Sequence, residues 1–167
     1  GGVVDLSHLN AEPITGSGFV AVSDGHFVDA SGHRLRLFGT NVTGDSCFPD
    51  EEVSPRLAKR LRQYGFNCLR LHFMDYSWGG TSRDSLWDDP ATGRLSDRNL
   101  AKLDRQIAEC AANGIYLNLN LHVGREYPGH PEVAGSRTFR FSKNLDRWHE
   151  PFICHMEQFC RDLLNHV

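Results

Sequence analysis

The sequence predicts an α/β fold built on a parallel sheet. Strand-like and helix-like apolar patterns alternate three times along the chain, and the first two helix patterns each end at a glycine just before the next strand. The segments from strand to helix are long, whereas those from helix to strand are very short. Parallel strands need crossover helices of this kind, so we expect right-handed strand–helix–strand units.

The N-terminal part predicts a small β-hairpin. Residues 19–42 show apolar alternation, which is interrupted at Asp24-Gly25, a turn sequence typical of hairpins. We therefore divide the chain into residues 1–34, an N-terminal segment with the β-hairpin, and residues 35–167, which hold the first three strand–helix units.

Each helix in the second part has boundary signals. Ser54 and Pro55 predict an N-cap and a first helical residue, and Gly65 ends that helix. Ser96 and Gly114 delimit the second helix in the same way. The expected strands are about 35–42, 66–73 and 115–122, and the third helix is about 147–166.

Composition and motifs exclude several classes of function. The 167 residues include 18 basic and 21 acidic side chains, so the formal net charge is −3 and no basic stripe is available for nucleic acid. Apolar runs reach only strand length and the mean hydropathy is −0.43, so we expect no membrane span. The motifs GxSxG, GxGxxG and GxxxxGK[ST] are absent, and we expect no cofactor.

The five cysteines are an odd number without CxxC spacing, which argues against a disulfide framework and a zinc knuckle. They leave the compartment open, and a secreted or periplasmic location is the working expectation.

Polar residues occupy one face of the second and third strands. They are Cys68, Arg70 and His72, and then Tyr116, Asn118, Asn120 and His122. A parallel strand covered on both faces should be apolar on both, and a buried polar group without a partner costs about 1 to 3 kcal/mol. The face is therefore either an internal polar network or a ligand-facing pocket, and the coincidence of so many polar positions favours the pocket.

The loops after these strands add carboxylates and aromatic rings. Asp75, Tyr76 and Trp78 follow the second strand, and Arg125, Glu126 and Tyr127 follow the third. Both loops leave the carboxyl ends of strands, where parallel α/β proteins bind their ligands.

A metal site is the weaker interpretation of the same region. His72, Asp75 and His122 could together hold a metal ion, but HExxH is absent and the Cys/His spacing matches no zinc pattern. We therefore expect no metal.

Three segments together resemble a known family. GHFVDASGHRLRLFGTN, GFNCLRLHFMD and GIYLNLNLHVGRE resemble, in order and spacing, the start of the catalytic domain of cellulase-like glycoside hydrolases, those of family 5 and its clan of retaining (β/α)8 barrels. The resemblance covers about residues 18–167. It implies an incomplete (β/α)8 TIM barrel, consisting of the first three strand–helix units preceded by a small β-hairpin.

The resemblance also implies roles for individual residues. Arg70 matches the arginine that supports the nucleophile carboxylate, and His122 matches the strand-three histidine of the substrate pocket, so both are candidate catalytic residues. The candidate substrate-binding residues are Asn41, His72, Asp75, Tyr76, Trp78, Asn120, Arg125, Glu126 and Tyr127.

In the family that the chain resembles, the acid/base glutamate follows an asparagine at the end of strand four, and the nucleophile glutamate ends strand seven. This sequence contains no Asn-Glu dipeptide, and a complete barrel needs ~250 residues. We therefore expect the N-terminal part of a retaining glycoside hydrolase acting on β-linked polysaccharide or oligosaccharide, inactive as this chain alone. Its partners would be a carbohydrate substrate and the remainder of the barrel or a completing chain.

Two alternatives stay open. One is a metal-dependent TIM-barrel hydrolase using Asp75 and Glu126 with the two histidines His72 and His122. The other is a non-catalytic carbohydrate-binding module.

Overall fold

The computed structural model describes residues 5–10, 13–14, 19–76, 85–89, 93–124 and 145–167. Its helices are α1 (Ser54–Gln63), α2 (Asp97–Ala112) and α3 (Glu150–His166). Its strands are β1 (Ala21–Ser23), β2 (His26–Val28), β3 (Gly39–Thr43), β4 (Cys68–His72), β5 (Trp87–Asp89), β6 (Arg94–Leu95) and β7 (Tyr116–Leu119). No helix in these ranges is both long enough and apolar enough to cross a bilayer.

The main sheet has three strands in the order β3-β4-β7. The N–H of Tyr116 donates to the carbonyl of Asn67, and the N–H of Asn120 donates to the carbonyl of Leu71. Because residue numbers rise together along both segments, β4 and β7 are parallel. Helix α1 connects β3 to β4 and α2 lies between β4 and β7 in the chain. The prediction of an α/β fold with a parallel sheet is therefore confirmed.

Two antiparallel pairs accompany this sheet. β1 pairs with β2 across Asp24-Gly25, where φ is 49° and 73°. β5 pairs with β6 inside the segment that follows β4. The sequence predicts no strand in that segment, because strands this short show no measurable apolar alternation.

The helix ends follow the sequence signals with one exception. The N–H of Asn99 donates to the Ser96 hydroxyl at 3.4 Å, so Ser96 caps α2 as predicted. Gly65 and Gly114 follow α1 and α2 with φ of 76° and 70°, in the left-handed region that favours glycine. The N-cap prediction for Ser54 is wrong.

Helix α1 already includes Ser54 and is preceded by Val53, without a side-chain cap. The Ser54 hydroxyl donates instead to Gln106 Oε1 at 2.8 Å. Both residues are fully buried, so water cannot donate a hydrogen bond to the Gln106 amide oxygen. The Ser54 hydroxyl donates to this oxygen and therefore does not cap α1.

By its internal contacts the chain divides into two compact units. Unit 1 comprises the described residues within 1–41, 51–70 and 105–118. Its buried apolar side chains are Ala58, Leu61, Leu69, Cys110 and Ile115. The amide of Gln106 accepts from Ser54 and donates to Cys110 Sγ at 3.1 Å. We call these three residues, Ser54, Gln106 and Cys110, the α1–α2 polar chain.

Unit 2 comprises the described residues within 42–50, 71–104 and 119–167. Its largest fully buried side chains are Phe152, Leu71, Met74, Leu86, Leu103, Leu145, Leu163, Asn99 and Asp75. The Trp87 ring packs on Phe159 of α3, with ring centroids 4.9 Å apart. Unit 2 therefore has an aromatic and aliphatic core in which one carboxylate, that of Asp75, is enclosed.

Candidate functional site

β4 has one apolar and one polar face, as predicted. Leu69 and Leu71 are 0% exposed, whereas Arg70 between them is exposed and His72 is half-buried. Alternation along the strand therefore places Arg70 and His72 on the face opposite the leucines.

The polar faces of β4 and the chain after β7 meet at a side-chain hydrogen bond. Asn120 Nδ2 donates to His72 Nδ1 at 2.8 Å. Because an amide nitrogen can only donate, this contact favours the His72 tautomer with an unprotonated Nδ1 and the ring hydrogen on Nε2. The contact brings His72 and Asn120 together within unit 2.

Asn41 and Arg70 occupy corresponding positions on neighbouring strands of unit 1. A Cβ added at Gly39 would lie 3.1 Å from the Cβ of Cys68, so positions 39 and 68 project to the same side. Two residues further along each strand, Asn41 and Arg70 also share a side, and both are exposed.

The carboxylate of Asp75 is enclosed by backbone donors. Its Oδ2 accepts from the N–H of Val123 at 2.8 Å, and both of its oxygens lie 3.2 Å from the N–H of Gly124. The Asp75 carbonyl accepts from Trp87 Nε1 at 3.1 Å. Asp75 thus ties the end of β4 to the turn after β7 and to β5.

His122 lies beside the Asp75 carboxylate, with Nδ1 3.4 Å from Oδ2. Its ring packs edge-on against Phe152, with centroids 5.6 Å apart. Both ring nitrogens are buried, and no described residue forms a hydrogen bond with either. A buried polar atom without a partner is costly, so Nε2, the ring nitrogen that is not beside Asp75, is suited to receive a ligand.

Phe73 lies just beyond β4, although the expected strand of about 66–73 included it. Its φ is 58°, and the strand ends at His72. The reversed backbone places the Phe73 ring edge-on against His72, at 4.7 Å, and Tyr76, at 6.3 Å. A Cβ at Gly124 would lie 2.8 Å from Tyr76 Cβ, so only glycine fits between these side chains without displacing them.

The predicted residues fall into three groups. Unit 2 holds His72, Asp75, Tyr76, Asn120 and His122, connected by the contacts above. Unit 1 holds Asn41 and Arg70. The predictions for Trp78, Arg125, Glu126 and Tyr127 lie outside the described residues.

Sequence reasoning missed the residues that support the site. Trp87 and Phe152 contact Asp75 and His122 from β5 and α3, and Gly124 packs under Tyr76. Their residue types, tryptophan, phenylalanine and glycine, are the only signal in the sequence. Residue type alone does not identify the side chains that they contact.

The Cys47 thiol beside the His72 carbonyl is not ionised, and no metal cluster is evident in the described part of the chain. Burial raises the pKa of the Cys47 thiol to about 12, so it stays protonated, and its Sγ lies 3.4 Å from the His72 carbonyl. No three His, Cys, Asp or Glu side chains within the described ranges are grouped as metal ligands would be.

Comparison with known proteins gives one match. A family model described as Cellulase (glycosyl hydrolase family 5) matches residues 28–152. Neither the curated proteins nor the solved structures gave a match. The matched residues include β3, β4 and β7, and therefore the polar face described above. Because the match spans more than half of the chain and agrees with the resemblance seen in the sequence, the chain belongs to the cellulase family, glycosyl hydrolase family 5.

Proposed function

We propose that the chain is the N-terminal part of a retaining glycoside hydrolase that cleaves β-linked polysaccharide or oligosaccharide. The observation that carries the proposal is the polar face at the carboxyl ends of β4 and β7, marked by the Asn120–His72 bond, in a chain of the cellulase family. Ligands of parallel α/β folds bind at this end of the strands.

We also propose that the chain forms the first three units of a (β/α)8 barrel, with residues 1–34 as an N-terminal segment. Apolar side chains of unit 1 support this proposal: Phe19, Val22 and Phe38 are 91%, 70% and 60% exposed. Large apolar side chains that are exposed to this extent favour a covering partner. The cover would be the remainder of the barrel or a completing chain.

The proposed chemistry needs two glutamates about 5 Å apart, one to protonate the glycosidic oxygen and one to form a glycosyl-enzyme intermediate. Both would lie outside this chain, which contains no Asn-Glu dipeptide. Arg70 would keep the nucleophile ionised by placing a permanent positive charge beside it.

The remaining candidate residues would bind the sugar. His122 and Asn120 would hydrogen-bond to sugar hydroxyls, and the aromatic rings of Tyr76, Trp78 and Tyr127 would stack on sugar rings. Further polar contacts would come from Asn41, His72, Arg125 and Glu126. Asp75, also a candidate, would support these residues without touching the sugar, because backbone donors enclose its carboxylate.

The test compares this chain with a longer polypeptide that continues its reading frame, using aryl β-glycosides as substrates. We expect no turnover by the 167-residue chain and measurable turnover by the longer polypeptide. Turnover by the chain alone would contradict the proposal.

In the longer polypeptide, Arg70→Ala should lower kcat by about 100-fold or more with a smaller change in KM, because its charge acts mainly in the transition state. Arg161→Ala, which removes an exposed arginine of α3, is the matched control and should leave kcat unchanged. Saccharide binding without turnover, unaffected by Arg70→Ala, would favour the binding-module alternative.

A further inference from the structure

We infer that Asp75 is a positioning residue that holds His122 in one tautomer, with the ring hydrogen on Nδ1 and a lone pair on Nε2. His122 would then be a hydrogen-bond acceptor toward its ligand. This inference rests on the proposed function only where it assigns a sugar hydroxyl to that acceptor.

The negative charge of the Asp75 carboxylate lies beside the His122 ring. Asp75 Oδ2 lies 3.4 Å from His122 Nδ1, and the Asp75 side chain is 0% exposed. A carboxylate repels a lone pair on Nδ1 and attracts a hydrogen there, and the effect is stronger away from water. The carboxylate therefore favours the Nδ1–H form of the neutral ring.

Backbone donors hold the Asp75 carboxylate in place. Two successive backbone N–H groups, those of Val123 and Gly124, donate to it. They immediately follow His122 in the chain, so the same carboxylate fixes the turn and faces the imidazole. Because Asp75 is 1% exposed, its carboxylate acts through His122 rather than by contact with a ligand.

The other ring nitrogen of His122 is Nε2. With the hydrogen on Nδ1, Nε2 of His122 is an acceptor, and no described residue donates to it although it is buried. A donor from a ligand would remove this deficit. A sugar hydroxyl is a donor of this kind.

His72 provides an internal control. Its Nδ1 accepts from Asn120 Nδ2, which favours the tautomer with the ring hydrogen on Nε2. The two histidines therefore have opposite tautomers, and each tautomer is set by a different neighbour.

The experiment is long-range 1H–15N NMR of the full chain labelled with 15N-histidine, at about pH 8.5, where the 15N shifts of the two ring nitrogens identify the tautomer of each imidazole. Wild type should show His122 with a protonated Nδ1 and His72 with a protonated Nε2. Asp75→Asn keeps a carbonyl oxygen for the Val123 N–H but replaces the charge with an amide, and should move the His122 hydrogen to Nε2 while His72 is unchanged.

Asn120→Ala is the matched variant. It should weaken the preference of His72 for the Nε2-protonated form and leave His122 with a protonated Nδ1. Loss of both preferences in either variant would indicate general disruption and would overturn the assignment of separate neighbours.

The wild-type spectrum decides the inference even if a variant fails to fold: a protonated Nε2 on His122 would overturn it. A folded Asp75→Asn chain with His122 still protonated on Nδ1 would do the same. A structural role for Asp75 alone would alter stability without moving the hydrogen.

Cellotetraose added to the longer polypeptide separates the inference from the proposed function. We expect the Nε2 resonance of His122 to shift on binding, as an acceptor does when it gains a donor. With the expected tautomer but no shift, the inference stands and the proposed function fails.

Discussion

Each unit encloses polar side chains, and the two sets differ in whether their members have hydrogen-bond partners. In unit 1, each member of the α1–α2 polar chain has a side-chain partner within it. In unit 2, Asp75 is satisfied by backbone donors, but its neighbour His122 has two buried ring nitrogens that bond to no described residue.

Burial alone therefore does not distinguish the α1–α2 polar chain from the proposed ligand site at His122. Ser54 and Gln106 are as buried as Asp75, yet they form a side-chain hydrogen bond with each other between α1 and α2. An incomplete set of hydrogen bonds is the better sign of a ligand site, because a ligand can form the hydrogen bond that the protein leaves unmade. The following predictions test this distinction.

The largest effect is expected for Asp75→Ala. The N–H groups of Val123 and Gly124 would lose their acceptor inside the fold. The free energy of unfolding should fall by about 3 kcal/mol or more, measured by urea denaturation followed by circular dichroism. Asp104→Ala, which removes a half-exposed carboxylate from α2, is the control and should cost less than about 1 kcal/mol. Equal losses for the two variants would show that the enclosure of Asp75 adds nothing.

An intermediate effect is expected for Gln106→Leu. It leaves the buried Ser54 hydroxyl without its acceptor and should lower the free energy of unfolding by about 1 to 3 kcal/mol. The double variant Ser54→Ala/Gln106→Leu removes both partners and should recover most of the loss. Additive losses would mean that the α1–α2 polar chain is not a closed pair.

The smallest effect concerns the dependence of stability on pH. Burial raises the pKa of the Cys110 thiol to about 11, so the folded chain keeps it protonated after the unfolded chain has ionised at the ordinary pKa of about 8.5. Its contribution to stability is therefore complete below about pH 8.5 and is lost as the pH rises toward 11, by at most about 1.4 kcal/mol per pH unit.

Urea denaturation of wild type and Cys110→Ala between pH 8 and 10 measures this contribution, and the variant should lose stability less steeply. Cys154→Ala changes an exposed thiol and is the control, with the wild-type slope expected. Parallel curves for wild type and Cys110→Ala would contradict the prediction.

The fold was largely predictable because its signals are local. Apolar spacing located α1 and α2, and Gly65 and Gly114 end them where a positive φ is required. β5 and β6 were missed because their pairing depends on contacts rather than on a pattern. The Ser54 cap was missed because its hydroxyl partner, Gln106, is 52 residues away.

The site was predictable only where side chains recognise each other through strand geometry. Alternation placed His72 and Asn120 on one face, and they form a hydrogen bond. The enclosure of Asp75 was not predictable, because its donors are backbone groups that every residue other than proline possesses. Residue type at 123 therefore carries no information about this contact.

The left-handed backbone at Phe73 restricts which residues an engineer can place there. A residue other than glycine costs roughly 1 to 2 kcal/mol in this conformation, and β-branched residues fare worst. Glycine would relax the main chain but would delete the ring that touches His72 and Tyr76. The main chain favours glycine and the ring contacts favour phenylalanine, so position 73 has a narrow mutational tolerance although its side chain carries no polar atom.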